Sequence, residues 1–153
     1  YQLDFHEHYW KAINERPWVA GSAVWNMFDF GSFVKLGNMP RINQKGLCDM
    51  SRNPKDAYYF YQSQWTDKLM VYIVSHTREH YFGAAEPKNI RVYSNGDRVE
   101  LFLNDHSLGS KNDQYVYRWE VNFSPGQNNL RAVAYKDVQV IEDQIDIVFV
   151  LND

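Results

Sequence analysis

One aromatic and several polar side chains that could form a binding pocket lie close together near the N-terminus of this 153-residue chain. An apolar run over residues 18–25 ends at Trp25, beside the amide of Asn26, and an Asn-x-Lys-Gly turn begins at Asn43. A buried strand that ends in this way presents a flat ring and hydrogen-bond donors at the mouth of a pocket. The ammonium of Lys45 beside an amide donor suits an anionic group in a confined pocket. We therefore take Trp25, Asn43 and Lys45 as the candidate binding residues.

A helix, a strand and a loop are predicted to position these residues. Residues 1–14 carry apolar side chains at helical spacing, and Pro17 disfavours continuation of that helix. Residues 18–25 are apolar on both faces, which is typical of a parallel strand covered by helices. The loop over residues 26–49 is long, and long loops after barrel strands commonly carry the site. The apolar stripe of the first helix comprises Phe5, Tyr9, Ala12 and Ile13.

A second helix is predicted after this loop. Asn53 is expected to be its N-cap, Pro54 its first helical residue and Asp56 a charge near its positive end. Its buried face is predicted from the four-residue repeat of Ala57, Tyr61 and Trp65.

Four charged residues around the loop are expected to form two stabilising contacts. Asp29 is predicted to brace the loop with Arg41, and Asp49 is predicted to pair with Arg52 just before the second helix.

The hydrophobic period changes to two from residue 69 onward, which predicts β structure. Short strands without helices between them are typical of an immunoglobulin-like β-sandwich. The change places a domain boundary near residues 66–68, dividing the chain into 1–67 and 68–153. The strands are predicted over 70–74, 90–93, 99–103, 119–123, 130–134 and 145–150, with a turn over 94–97. The side chains expected to face inward are Leu101, Leu103, Trp119, Val121, Leu130 and Ala132.

Four stretches of the sequence carry a family resemblance. They are RPWVAGSAVWNMFDFG over residues 16–31, NQKGL over 43–47, DMSRNPKDAYYFYQSQW over 49–65 and NGDRVELFLNDHSLG over 95–109. The first three resemble the last barrel strand, the following loop and the final barrel helix of glycoside hydrolase family 2, the β-galactosidase and β-glucuronidase family. The fourth is similar to the sandwich that follows the barrel in many members. The resemblance implies a mainly β chain, an immunoglobulin-like β-sandwich preceded by the α/β C-terminal remnant of a (β/α)₈ barrel.

The resemblance also implies a function for a longer parent protein. Family 2 enzymes use two glutamates on earlier barrel strands, and a complete barrel takes about 250 residues. We therefore expect the chain to be a C-terminal portion of a retaining exo-β-glycosidase, without catalytic residues and inactive alone. The sandwich resemblance favours a β-galactosidase. The alternatives are a β-glucuronidase of the same family and a non-catalytic carbohydrate-binding or structural module.

Roles for the candidate residues follow from the same resemblance. In family members the tryptophan corresponding to Trp25 forms a wall of the sugar subsite, because a flat indole covers the apolar C–H face of a pyranose. In members that cleave glucuronides, an Asn-x-Lys pair at the place of Asn43 and Lys45 contacts the sugar carboxylate. A similar motif occurs in galactosidase-type members, so the motif leaves the sugar open. The charge of Lys45 disfavours a metal ion here, and we expect neither a metal nor a cofactor.

Composition limits the partners and the compartment. A formal net charge of −3 provides no basic footprint for nucleic acid, and no run of 18 apolar residues predicts a membrane span. Cys48 is the only cysteine, which excludes an internal disulfide and leaves the compartment open. The expected partners are a carbohydrate substrate and the rest of the chain's own barrel. Self-association is expected where the apolar strand lacks that barrel.

Overall fold

The computed structural model describes residues 1–33 and 41–152. The chain divides into two compact units, Tyr1–Tyr61 and Gln62–Asp153. The division between these units, at Tyr61 and Gln62, falls inside the helix over Asp56–Trp65. The domain boundary near residues 66–68 therefore stays a prediction. The middle of the predicted long loop, including Pro40, lies outside the described residues.

The first unit contains helices and two very short strands. Helix α1 spans Gln2–Asn14, strands β1 and β2 span Phe30–Gly31 and Ile42–Asn43, and helix α2 spans Asp56–Trp65. Strands β1 and β2 are antiparallel, and Phe30 pairs with Asn43. The helical N-terminal segment predicted from the sequence is confirmed.

The strand predicted over residues 18–25 is not formed in the described structure. These residues belong to no sheet, and Trp18 and Trp25 are 76 % and 68 % exposed. A parallel strand exists only through hydrogen bonds to neighbouring strands. No described strand lies beside this segment, so its apolar sequence is not sufficient to make it a strand.

Both helices differ in detail from the prediction. In α1 the predicted stripe residues Phe5 and Tyr9 are exposed, whereas His6 is the buried residue. Helix α2 begins at Asp56 because Pro54 forms a β-bridge with Cys48 instead of opening the helix. Its face is only partly as predicted: Ala57 and Tyr61 are buried, but Trp65 is 57 % exposed.

The predicted ion pair between Asp49 and Arg52 is also wrong. Asp49 accepts hydrogen bonds from the backbone nitrogen and the Nδ2 of Asn53, both at 2.8 Å. These bonds, the side-chain one first, lower the pKa of Asp49. Asn53 lies three residues before the first residue of α2, Asp56, so it is not the N-cap of this helix. The guanidinium of Arg52 lies 5.3 Å from the centre of the Phe28 ring.

The second unit is a β-sandwich of two sheets, as predicted. The larger sheet has the strand order β4-β10-β9-β6-β7, and the smaller sheet has the order β3-β5-β8. β4 and β10 are parallel, with Phe82 beside Val150. The other pairs in these sheets are antiparallel. The strands span Val71–Val74 (β3), His80–Gly83 (β4), Lys88–Ser94 (β5), Arg98–Leu103 (β6), His106–Lys111 (β7), Tyr115–Val121 (β8), Gly126–Lys136 (β9) and Gln139–Leu151 (β10).

The core of the sandwich lies between the two sheets and contains the side chains predicted to face inward. Residues of both sheets alternate inward along their strands, as the period of two requires. Leu103 is partly buried and packs against the cluster. The fully buried members of the predicted set are Leu101, Trp119, Val121, Leu130 and Ala132. The sequence pattern therefore identified the core correctly.

The turn over residues 94–97 joins the two sheets, because β5 and β6 belong to different sheets. Asn95 holds this connection through its side chain. Its Oδ1 accepts the Met70 backbone N–H at 2.9 Å, and its Nδ2 donates to the Thr66 carbonyl at 2.8 Å. The hydroxyl of Tyr117 donates to the Gly96 carbonyl at 2.7 Å. A side chain at Gly96 would place its Cβ 3.0 Å from the Tyr135 carbonyl oxygen, so a glycine fits here.

Neither helix in the described part of the chain is long and apolar enough to cross a membrane.

Candidate functional site

A cavity of about 620 Å³ opens in the first unit. Aromatic side chains of α1, including Phe5, Tyr9 and Trp10, line one part of it. Trp25 and Lys45 line another part. Two of the three candidate residues, 20 positions apart in sequence, therefore meet at one concave surface. A concave apolar surface with a few polar groups is the usual form of a small-ligand site.

The indole of Trp25 is accessible at this surface. Its ring is 68 % exposed and meets the ring of Phe30 edge-on, with 6.3 Å between the ring centres. The peptide bond between Trp25 and Asn26 is cis. Because the contact to Phe30 is edge-on and the residue is largely exposed, a face of the indole is available for stacking.

The Asn43–Gly46 turn is held by hydrogen bonds from three directions. Asn43 is buried, and its Oδ1 accepts the backbone N–H of Lys45 at 3.0 Å. The Gly46 N–H donates to Asp29 Oδ1 at 2.9 Å, and the Gly46 carbonyl accepts from Gln2 Nε2 at 3.1 Å. A Cβ at Gly46 would lie 2.3 Å from the Asp29 backbone nitrogen, so only glycine fits. Lys45 therefore projects from a fixed backbone.

Asp29 braces this turn, but its ionic partner is Lys55 and not Arg41. Lys55 Nζ lies 2.6 Å and 2.7 Å from the two carboxylate oxygens of Asp29. The backbone carbonyl of Arg41 instead accepts the Ser32 N–H at 2.8 Å. Sequence analysis missed Lys55 because it lies 26 positions from Asp29, and only the fold brings the two together.

A short ladder of backbone hydrogen bonds connects the segment after Trp25 to the segment after Gly46. The Leu47 N–H donates to the Asn26 carbonyl at 2.9 Å, and the Cys48 N–H donates to the Met27 carbonyl at 2.8 Å. Cys48 is buried, and burial is the main cause of the raised pKa of its thiol. The thiol is therefore protonated at neutral pH.

A buried histidine–tyrosine pair lines the same cavity. His6 Nδ1 lies 3.0 Å from the Tyr61 hydroxyl. Burial lowers the pKa of His6 and raises the pKa of Tyr61, so both groups are neutral at pH 7. His6 stands between Asp4 and Glu7 in sequence, a polar context that gives no sign of burial. Within residues 1–33 and 41–152, no group of three or more His, Cys, Asp or Glu is arranged to hold a metal ion.

Comparison with known proteins identifies relatives of this chain. Residues 85–142 match the domain of unknown function DUF4982. The chain is 37 % identical over 139 residues to a β-glucuronidase of Bacteroides fragilis, covering 86 % of this chain and 20 % of that protein. It is 32 % identical over 143 residues to the β-galactosidase BoGH2A of Bacteroides ovatus, covering 91 % of this chain and 16 % of that protein.

A solved structure resembles nearly the whole chain. The β-glucuronidase of Parabacteroides merdae, solved with glycerol in its active site, matches with a TM-score of 0.92 and 34 % identity. The match covers 99 % of this chain and 20 % of that one. The chain therefore corresponds in fold to about one fifth of that β-glucuronidase.

The chain belongs to glycoside hydrolase family 2 and matches a portion of its longer members. It spans between 12 and 20 % of the length of the curated relatives that it matches.

Proposed function

We propose that the longer enzyme is a retaining exo-β-glycosidase that removes terminal β-glucuronic acid from oligo- or polysaccharides. In this proposal Trp25 stacks on the sugar ring, and Asn43 and Lys45 bind its carboxylate. The observation that carries the proposal is the presence of Lys45 and Trp25 at one cavity of about 620 Å³. A stacking surface and a cation at one concave surface suit a sugar that carries an anionic substituent.

The charge of Lys45 is available to such a ligand. No described residue forms an ion pair or hydrogen bond with its ammonium. Asn43 is buried and is not among the residues that line the cavity. Its Oδ1 accepts the Lys45 N–H, and its Nδ2 forms no hydrogen bond with another described residue. A carboxylate between these two groups would receive a charge-assisted hydrogen bond and a neutral one.

Cleavage itself needs groups beyond the three candidate residues. In a retaining glycosidase two carboxyl groups about 5–5.5 Å apart form and then hydrolyse a covalent glycosyl-enzyme. We propose that two glutamates on other strands of the barrel do this. The residues of this chain would bind and orient the sugar. Positioning of this kind accounts for a large share of catalysis in many enzymes.

The second candidate function is a β-galactosidase. It is supported by the sandwich resemblance and by the similarity to BoGH2A, the β-galactosidase of Bacteroides ovatus. More of the similar proteins carry the name β-glucuronidase, and for this reason we place the glucuronide first. The galactoside preference remains a prediction.

The two functions are separated by the variant Lys45→Met in the full-length enzyme. If the substrate is a glucuronide, Lys45→Met should lower kcat/KM for a chromogenic β-glucuronide by roughly 10- to 100-fold. A hydrogen bond to a charged group contributes about 1.5–3 kcal/mol, and each 1.36 kcal/mol is about tenfold in rate. Cleavage of the matching β-galactoside, which lacks the carboxylate, should change much less.

Lys11→Met is the matched control, because it removes an exposed cation of α1 that pairs with the exposed Glu15, at 3.7 Å. The control should leave both rates unchanged. A wild-type enzyme that cleaves only the galactoside, with Lys45→Met lowering that rate modestly, would support the second function instead. Equal cleavage of both substrates that Lys45→Met leaves unchanged would contradict a role of this loop in sugar binding.

A further inference from the structure

The ion pair of Asp29 and Lys55 lies directly behind the turn that carries Lys45. The Asp29 side chain is 6 % exposed and the Lys55 side chain 25 % exposed. Lys55 Nζ contacts both carboxylate oxygens, at 2.6 Å and 2.7 Å. A pair that is this short, two-pronged and shielded from water is screened far less than a surface ion pair.

Each member of the pair also holds one neighbour of Lys45. Asp29 Oδ1 accepts the backbone N–H of Gly46 at 2.9 Å. Lys55 Nζ donates to the backbone carbonyl of Gln44 at 3.2 Å, and the Lys55 backbone N–H donates to the Leu47 carbonyl at 2.8 Å. The backbone on both sides of Lys45 is therefore attached to one charge pair, in which Asp29 is buried and Lys55 is half-buried.

The pair also controls the charge that Lys45 experiences. Without Lys55, Asp29 would be a bare carboxylate next to the turn. It would attract the ammonium of Lys45 and repel an anionic ligand. With Lys55 in place, Asp29 is neutralised, and the Lys45 ammonium forms no bond with any described residue.

We propose that Asp29 and Lys55 are a positioning pair that sets the enzyme's preference for a sugar carrying a carboxylate. The pair fixes the backbone around Lys45 and keeps the Asp29 charge away from the Lys45 ammonium. This inference rests on the proposed function, since it assigns the geometry of Lys45 to a contact with the substrate carboxylate.

The test is a double-mutant cycle in the full-length enzyme, with Lys55→Met, Asp29→Asn and the two combined. The readout is the ratio of kcat/KM for a β-glucuronide to that for the matching β-galactoside. Lys55→Met should lower this ratio about tenfold or more, mainly through a higher KM for the glucuronide. Asp29→Asn should lower it less, because the amide oxygen still accepts the Gly46 N–H. The double variant should recover the part of the loss that the bare Asp29 carboxylate causes, since no unpaired charge remains, but not the part that follows from the lost Lys55–Gln44 contact.

Two further measurements separate positioning from general loss of structure. Amide hydrogen exchange over residues 43–48 should be faster both in Lys55→Met and in the double variant, because both lose the contact of Lys55 Nζ to the Gln44 carbonyl. Lys11→Met, which removes an exposed pair with Glu15, should change neither the ratio nor the exchange. If Lys55→Met does not fold, Asp29→Asn and the double variant carry the test, because neither leaves a buried bare carboxylate.

The outcomes are distinct. If Lys45→Met lowers the ratio but Lys55→Met leaves it unchanged, the positioning role is overturned and the proposed function stands. If the double variant is as poor as Lys55→Met, the charge-balancing role is overturned. If Lys45→Met itself leaves the ratio unchanged, the proposed function fails and this inference fails with it.

Discussion

Trp25 combines an exposed ring with a place at the cavity wall. Trp18 has a similar exposure, 76 % against 68 %, but does not line the described cavity. Exposure alone therefore does not distinguish the two tryptophans, whereas the position on the cavity does. This difference supplies a matched pair of variants for the stacking role.

Trp25→Ala in the full-length enzyme should lower kcat/KM by roughly tenfold or more on any sugar that the enzyme cleaves. Loss of a buried aromatic surface removes about 1.5–3 kcal/mol of binding, and the stacking surface is common to neutral and acidic sugars. Steady-state kinetics on a β-glucuronide and a β-galactoside measure the effect. Trp18→Ala should leave both values near wild type. Equal effects of the two variants would argue against a specific stacking role for Trp25.

Lys45 and Asn43 could be selected from the sequence, but their supports could not. The Asn-x-Lys-Gly motif is local, so its residues are visible without a structure. Asp29 and Lys55 are charged residues among many, and nothing in their spacing indicates contact. Arg41 is nearer to Asp29 in sequence and was therefore the expected partner. The fold brings Asp29 and Lys55 together through the segment at residues 47–48. The Asp29 N–H donates to the Cys48 carbonyl, and the Lys55 N–H donates to the Leu47 carbonyl, so both residues lie beside the same segment.

At the scale of elements, the connection between β5 and β6 depends on side chains that bond to backbone. The Tyr117 hydroxyl reaches from β8 to the Gly96 carbonyl, at 2.7 Å. Tyr117 is fully buried, and burial is the main cause that raises its pKa to about 12. The hydroxyl must therefore be protonated to donate the hydrogen bond that holds the turn over residues 94–97 between the two sheets.

Tyr117→Phe should cost about 1–2 kcal/mol of unfolding free energy at pH 7, because the buried Gly96 carbonyl loses its donor. The pKa of Tyr117 in the folded chain lies above the value near 10 in the unfolded chain. The associated stability is complete below about pH 10 and is lost as pH rises toward about 12. Denaturant unfolding between pH 7 and 12 should therefore show a smaller alkaline loss in Tyr117→Phe than in wild type. Parallel pH curves would contradict this assignment.

The sequence predicted six of the eight sandwich strands and missed β4 and β7. Strand β7 is exposed along its whole length and lies at a sheet edge, so it has no buried side for a period of two to reveal. Strand β4 has only four residues. The opposite error over residues 18–25 has a related cause. An apolar run indicates that a segment is buried. Whether it forms a strand depends on hydrogen bonds to neighbouring strands, and a local sequence pattern carries no information about those neighbours.

For the whole chain, the two units differ in how they bury apolar side chains. The sixteen residues of the buried hydrophobic cluster all belong to the sandwich. The first unit instead exposes large aromatic side chains, among them Trp18, Trp25 and a fully exposed Phe33. Exposed apolar groups on this scale mark a surface that another partner covers.

The chain produced alone should therefore self-associate, while residues 62–153 produced alone should form smaller species. Sedimentation velocity over a range of concentrations distinguishes these outcomes. Replacing Trp18 and Phe33 by serine should shift the chain toward monomer. The replacements remove exposed apolar surface, and burial of that surface is what favours association. A chain that is monomeric at every concentration, with these side chains still exposed, would contradict the prediction.

The order of strands in the larger sheet has a consequence for biosynthesis. Strand β4 is made early, but among the described strands it pairs with β10 alone, and β10 follows all the other strands of the sandwich. Strand β10 also supplies Ile145, Ile147 and Phe149 to the core. During synthesis, β4 has no strand to pair with until β10 has been made. The inner faces of β6 and β9 likewise lack the core side chains of β10 until then. The sandwich should thus acquire its structure in a single late step, and until then its strand edges are exposed to other nascent chains.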